Sequence, residues 1–144
     1  QAGYAGGNVN NPSYEDVCGG TTGHAEVIQI TYNANVISFD KLLNIFWMSH
    51  NPTTLNQQGA DIGTQYRSVI FHHNKEQEQL SQRSMEEVTN SDLYVNPIVT
   101  QIRPLTIFYP AEDYHQNYYR LNLNAPYCKV VIKPKLEKLN QQIN

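Results

Sequence analysis

The sequence is short of cysteine, of charge and of long apolar runs, and each shortage removes a class of protein. The two cysteines, Cys18 and Cys128, lie far apart and form no CxxC pair. Two are too few for a disulfide-stapled scaffold. Together with five scattered histidines they show none of the spacings of a zinc site, so no metal is expected. A reducing, cytoplasmic setting is the default for such a chain. Charged residues make up only 16% of it and the net charge is −3. That leaves no basic stripe for nucleic acid and no acidic block of the kind found in disordered tails. No apolar run approaches the length of a membrane span, and nothing near the start resembles a signal peptide. The chain opens on Gln1 rather than Met, which we read as processing or truncation.

What is present is the size of one domain: 144 residues, 40% hydrophobic, with Asn, Gln and ten tyrosines filling the space that charge leaves. Residues 1–24, rich in Gly, Asn, Pro, Ser and Thr, read as loop and turns. GHAEVIQITY then alternates as a strand over Ala25–Tyr32, with Glu26, Ile28, Ile30 and Tyr32 on one face. Ser38 is an N-cap, and Phe39, Leu42, Leu43, Phe46 and Trp47 recur at helical spacing up to His50. Residues 51–65 form a long polar loop, of the kind that is usually functional. YRSVIFHH is a second strand, and Asn74 opens an exposed helix to about Val88. A third strand covers Ile98–Ile102 and stops at Pro104. Pro110, Glu112 and Asp113 suit a first helical turn, with Tyr114 over Tyr118 and His115 over Tyr119. NAPYC is a turn, KVVI a short strand, and a terminal helix follows Pro134. Irregularly interleaved strands and helices without a repeat predict an α+β domain of two layers.

One feature of this pattern has chemical content. Glu26 heads a row of isoleucines on the apolar face of its strand. A carboxyl that loses hydration there has its charged form disfavoured and its pKa raised, and an acid kept neutral can give up a proton. Tyr14 and Tyr66 each sit beside a loop, where a phenol can hold a polarised oxygen without carrying charge. Asp61, in GADIG, reads on its own as a turn-forming residue. Cys18 reads as a small buried hydrophobe, and Cys128, after a turn near the end, as a mobile thiol close to the surface. Tyr- and Asn-rich loops also suit a binding module without chemistry, for a peptide or a sugar.

GYAGG (3–7), NPSYEDVC (11–18), TGHAEVIQITY (22–32), NPTTLNQQGADIGTQYRS (51–68), FYPAEDYHQNYY (108–119) and PYC (126–128), taken together, closely resemble the A-type peptide methionine sulfoxide reductases. The resemblance runs from about Gly3 to the last strand. It implies an α/β sandwich, a ferredoxin-like plait with added loops, as a single domain over 1–144. It implies a cofactor-free thiol enzyme, working as a monomer on free or protein-bound methionine S-sulfoxide and regenerated by thioredoxin. Carried over by position, Glu26 is the proton donor, Tyr14 and Tyr66 hold the sulfoxide oxygen, and Asp61 orders the pocket. His115, Tyr118 and Tyr127 line the substrate cavity, and Cys128 is the resolving cysteine. The family's nucleophile belongs to a Gly-Cys-Phe-Trp motif upstream of GYAGG. This sequence lacks that motif, so the first strand and first helix are expected to be missing and the domain N-terminally incomplete. The alternative is an inactive pseudoenzyme that binds a peptide or other ligand.

Overall fold

Residues 1–24 hold more structure than their composition predicts. The computed structural model describes residues 1–143. In it Ala2–Ala5 form strand β1 and Tyr14–Cys18 form a short helix, α1. Gly and Ala have weak strand preference, so β1 owes its conformation to pairing on both sides. It runs antiparallel to β2 (Ala25–Ile28), placing Tyr4 opposite Glu26. On its other side it runs antiparallel to Phe108–Pro110, the seventh and last strand among the described residues, β7. The sheet order is β2-β1-β7. Gly3 is required there: a Cβ would lie 2.3 Å from the Phe108 ring and 2.5 Å from the Tyr109 carbonyl oxygen. Helix α1 is set by a capping box in which Ser13 and Asp16 satisfy each other's backbone N–H groups.

The amphipathic segments fold as their periodicity dictates. Ser38 caps helix α2 (Phe39–Ser49), and Asn74 caps helix α3 (Lys75–Thr89). Leu43 and Trp47 of α2 bury against Ile70, with Phe46, Leu80, Met85, Val88 and Ile102 around them. The Trp47 indole N–H donates to Ser84 Oγ at 2.8 Å, so α3 supplies a polar seat as well as its apolar stripe. Between the helices, residues 51–65 carry a small hairpin of β3 (Gln57–Gln58) and β4 (Asp61–Ile62), followed by a 3₁₀ turn at Thr64–Tyr66. Strand β5 (Val69–His72) pairs in parallel with β6 (Gln101–Pro104). Pro104 is thus the last residue of its strand, where it has an edge to occupy.

Two segments depart from expectation. FYP is strand β7 rather than the start of a helix, and Gln116 explains why. Its amide bonds both the N–H and the carbonyl of Ala2, and also the carbonyl of Ala111, fastening that stretch to β1. A 3₁₀ turn at Asp113–His115 follows, and Asn117, at φ 54°, breaks the path before helix α4 (Tyr118–Leu121). The stacks of Tyr114 on Tyr118 and of His115 on Tyr119 therefore have no continuous helix to form on. KVVI is likewise no strand. Tyr127 already has helical backbone angles, and Cys128–Ile132 continue as a π-helical turn into helix α5 (Lys133–Ile143). Pro134 is the second residue of α5, directly after the π-helical turn, and has no N–H to give the carbonyls of that turn.

The C-terminal end of α2 is tied to the β5–β6 pair by a buried polar chain. His50 Nδ1–H donates to the Phe46 carbonyl at 2.7 Å, since a carbonyl can only accept. Its Nε2 is then free to accept from Ser68 Oγ at 2.7 Å, and Ser68 Oγ lies 2.7 Å from Thr100 Oγ1. Burial lowers the His50 pKa, with the Phe46 carbonyl opposing and Lys135 adding to the shift, so the ring is neutral and can accept. Ser68→Ala leaves that nitrogen and Thr100 without their partner. The expected loss is about 1–3 kcal/mol, read by urea unfolding; an unchanged midpoint would show that the chain is not structural.

One region of the sheet layer stays open. Strand β2 ends the three-stranded sheet, and β5–β6 form a separate pair. Val27 and Ile28 of β2, Gln29 just after it, and Val69, Ile70 and Phe71 of β5 line the same cavity of about 840 Å³, with Phe39, Leu42 and Phe46 of α2 as a further wall. This corrects the expectation of a buried Glu26 face. Glu26 is exposed, and Ile28 and Ile30 keep 70% and 51% of their surface accessible, because they face the cavity.

Candidate active site

Different elements deliver the site. Helix α1 presents Tyr14 as its first residue, and β2 presents Glu26. The β3–β4 hairpin presents Asp61 as a paired strand residue rather than as a bare turn. Tyr66 closes the 3₁₀ turn that follows. Arg67 fixes that turn, donating to the Thr64 carbonyl at 2.8 Å and to the Gly23 carbonyl at 3.0 Å. It thereby joins the loop carrying Tyr66 to the segment that leads into Glu26. Gln65, buried, donates to the Cys18 carbonyl at 3.2 Å and so ties the same turn to α1. Tyr14, Glu26, Asp61, Tyr66, His115 and Tyr127 all line the one cavity.

Their titration behaviour follows from this crowding. Although Glu26 keeps an exposed surface, the cavity walls take part of its carboxyl's hydration and so raise its pKa, and the charge of Asp61 raises it further. Solvent reaching Glu26 through the open mouth limits the size of the shift but not its direction. The Tyr14 phenol is pushed up to about 12, first by a hydrogen bond with the Cys18 thiol and the charge there, then by burial, Glu26 and Tyr66. Burial raises Tyr66, with Glu26, Cys18 and Asp61 adding to it. Tyr127 is raised by burial, by the charges of Asp61 and Glu26, and by a hydrogen bond with Asp61. The phenols are therefore O–H donors at neutral pH. A carboxyl biased toward its protonated form, with uncharged donors around it, suits an oxygen that gathers negative charge during reaction.

Not every expected residue joins this group. Tyr118, in α4, is 37% exposed and is not among the residues lining the cavity. Cys128 is fully buried, contrary to the expectation of a thiol near the surface. The chain leaves Tyr127 as a helix and not as a turn, and Cys128 opens a π-helical segment in which Lys129 N–H donates to the Ala125 carbonyl and Lys133 N–H to that of Cys128. Cys18 and Cys128 are both free thiols. Three contributors escaped the sequence reading: Gln65, Arg67 and the nearness of Cys18 to Tyr14. Two of these sit inside GTQYRS, but their partners, Cys18 and Gly23, are remote in sequence. Among the described residues no three His, Cys, Asp or Glu side chains group as metal ligands, and no helix is long and apolar enough to cross a membrane.

An acid and several phenols lining one cavity, mounted on an α+β scaffold, make up the class of site the structure presents. Comparison with known proteins narrows this class. The sequence model of the peptide methionine sulfoxide reductase family matches residues 1–144, and the chain belongs to that family. It is 53% identical over 137 residues to the peptide methionine sulfoxide reductase of Leptospira borgpetersenii, covering 95% of this chain and 77% of that relative. The structure of the reduced form of Mxr1 from Saccharomyces cerevisiae superposes with a TM-score of 0.83 at 40% identity, covering 89% of this chain and 73% of that one. Methionine sulfoxide reductase A of Corynebacterium diphtheriae superposes at 0.81 with 33% identity, covering 88% and 65%. The mixed helix-and-sheet architecture agrees with both structures, and the chain is an enzyme of this family by resemblance.

Proposed function

We propose that the protein reduces the S epimer of methionine sulfoxide, free or within oxidised proteins, to methionine. The observation that carries this reading is the convergence of Glu26, Tyr14, Tyr66, Asp61 and Tyr127 on one cavity. A cysteine thiolate attacks the sulfoxide sulfur while Glu26 gives its proton to the sulfoxide oxygen, and Tyr14 and Tyr66 hold that oxygen by hydrogen bonds. Asp61 orders the pocket through Tyr127, and His115 and Tyr127 receive the substrate. Methionine leaves, and the thiol is left as a sulfenic acid. A second cysteine condenses with it, releasing water and forming a disulfide, which the dithiol of thioredoxin reduces by exchange. Cys128 is the proposed second cysteine; its burial requires the π-helical turn to open first.

The attacking thiol is proposed to come from a strand and helix that fill the opening between β2 and β5, completing a single domain. The unpaired edge of β2 and the shared apolar cavity support this. The enzyme acts as a monomer in a reducing compartment such as the cytoplasm, where both cysteines stay free.

The test is methionine release from the separate S and R sulfoxide epimers with dithiothreitol as reductant. The protein bearing the completing strand is expected to consume the S epimer only, and residues 1–144 alone to consume neither. Preference for the R epimer would overturn the assignment. Turnover by residues 1–144 that disappears in Cys18→Ser would move the nucleophile to Cys18.

A further inference from the structure

Tyr14 is the first residue of α1, and its backbone N–H belongs to the set of donors that a helix start leaves unserved. The local cap does not reach it. Ser13 Oγ accepts from the Asp16 N–H, and Asp16 accepts from the N–H and hydroxyl of Ser13. The acceptor for Tyr14 comes from 98 residues further along the chain: Glu112 Oε1 takes its N–H at 2.8 Å. The other oxygen of the same carboxylate accepts the Tyr4 hydroxyl at 2.9 Å. Tyr4 is buried in β1 and is the register partner of Glu26. One carboxylate therefore links the backbone of Tyr14 to the residue opposite Glu26.

The turn that carries Glu112 also grips the Tyr14 ring. His115 packs on it at 4.6 Å between centroids, and His115 Nε2 lies 3.7 Å from Glu112 Oε2. Partial burial opposes ionisation of Glu112. Hydrogen bonds from its own backbone, from Tyr14 and from Tyr4, with His115 nearby, outweigh that and hold its carboxyl below the usual range. At neutral pH it is a charged acceptor, the stronger kind. Tyr14 itself is 37% exposed, so its phenol has no deep burial to fix it.

We propose that Glu112 is a positioning residue that sets the Tyr14 hydroxyl relative to Glu26. It touches no reacting atom. It fixes the spacing between the proton donor and one of the phenols that hold the oxygen. This rests on the proposed sulfoxide chemistry for its meaning, while the geometric claim stands on its own.

The experiment introduces 3-fluorotyrosine at position 14 and compares wild type, Glu112→Gln and Glu112→Ala in the protein bearing its nucleophilic thiol. In Glu112→Ala the fluorine resonance should shift and broaden, and kcat should fall about 10- to 100-fold, as misplacement of a catalytic group allows, with KM within about twofold. Glu112→Gln keeps an acceptor for the Tyr14 N–H and should recover most of both readouts. An unmoved resonance in Glu112→Ala overturns the proposal, whether or not kcat falls, because the tyrosine was then never held by the carboxylate. If Glu112→Ala fails to fold, Tyr4→Phe, which removes one arm of the link, carries the same comparison. Absence of sulfoxide reduction in the wild type would refute the proposed function, while the fluorine spectra still decide the role of Glu112.

Discussion

Glu26→Gln is expected to lower methionine sulfoxide reduction by about 10²–10⁴-fold, the span a positioned acid contributes, and at the same time to raise the unfolding temperature at neutral pH. Both effects come from one cause. Partial loss of hydration in the cavity and the charge of Asp61 raise the Glu26 pKa in the folded protein. Folding thus disfavours the ionised carboxylate. The stability this group contributes is fully present below the pKa of an unfolded glutamate. It is lost as pH rises through the folded value. Glutamine carries no charge to disfavour, so the gain from Glu26→Gln should be seen at about pH 7 and should vanish at about pH 3 and below, where the native residue is protonated in both states. The deficit in turnover should be larger at neutral than at acid pH, where protonated groups elsewhere can help. Thermal scans at the two pH values and steady-state rates decide the matter. A lower unfolding temperature at neutral pH would mean that the Glu26 charge serves the fold. An unchanged rate would remove Glu26 from the proton-transfer step.

Gly7→Ala should be the most damaging small substitution. A Cβ at Gly7 would stand 2.3 Å from the Thr22 carbonyl oxygen, 2.4 Å from the His24 backbone nitrogen and 2.7 Å from His24 Cγ. The first two of these are backbone atoms and cannot rotate away. The segments it would force apart are held by Asn8 N–H on the Thr22 carbonyl at 3.0 Å and by Gly7 N–H on His24 Nδ1 at 3.0 Å. His24 is only 2% exposed and has a fixed tautomer, since its Nε2–H must donate to the Val9 carbonyl at 2.7 Å. Overpacking costs about 1–3 kcal/mol, and a buried ring nitrogen stripped of its donor a similar amount. Against a total of about 5–15 kcal/mol this is large. A fall of about 10 °C or more in unfolding temperature is expected. Because β2 starts next to His24, Glu26 should lose its register too. A variant that melts within a degree of wild type would show that the contact relaxes freely.

The comparison of sequence with structure divides along physical lines. Helices α2 and α3 were legible because cap and apolar spacing agree: Ser38 before Phe39, Asn74 before Lys75. Glu26, Asp61 and the tyrosines were legible as residue types in recognisable motifs, and the structure brings Tyr14, Glu26, Asp61, Tyr66, His115 and Tyr127 to one cavity. Strand β1 was not legible, because AGYA has no strand preference of its own and is held by partners at both edges. Val130, Val131 and Ile132 misled in the opposite way. Their β-branched side chains favour strands, yet the helical start at Tyr127 carries them along. Glu112 could be read as a charge near a helix start, but its true target, α1, lies 98 residues away in sequence.

The interior position of Cys128 gives the molecule a built-in clock. An alkylating reagent in solution meets the half-buried Cys18 in the folded protein, whereas it reaches the other sulfur only when the fold around Cys128 opens. The ratio of the two labelling rates therefore counts how often that thiol is uncovered, and under the proposed mechanism, with Cys128 as the second cysteine, the same frequency bounds how fast the oxidised thiol is resolved.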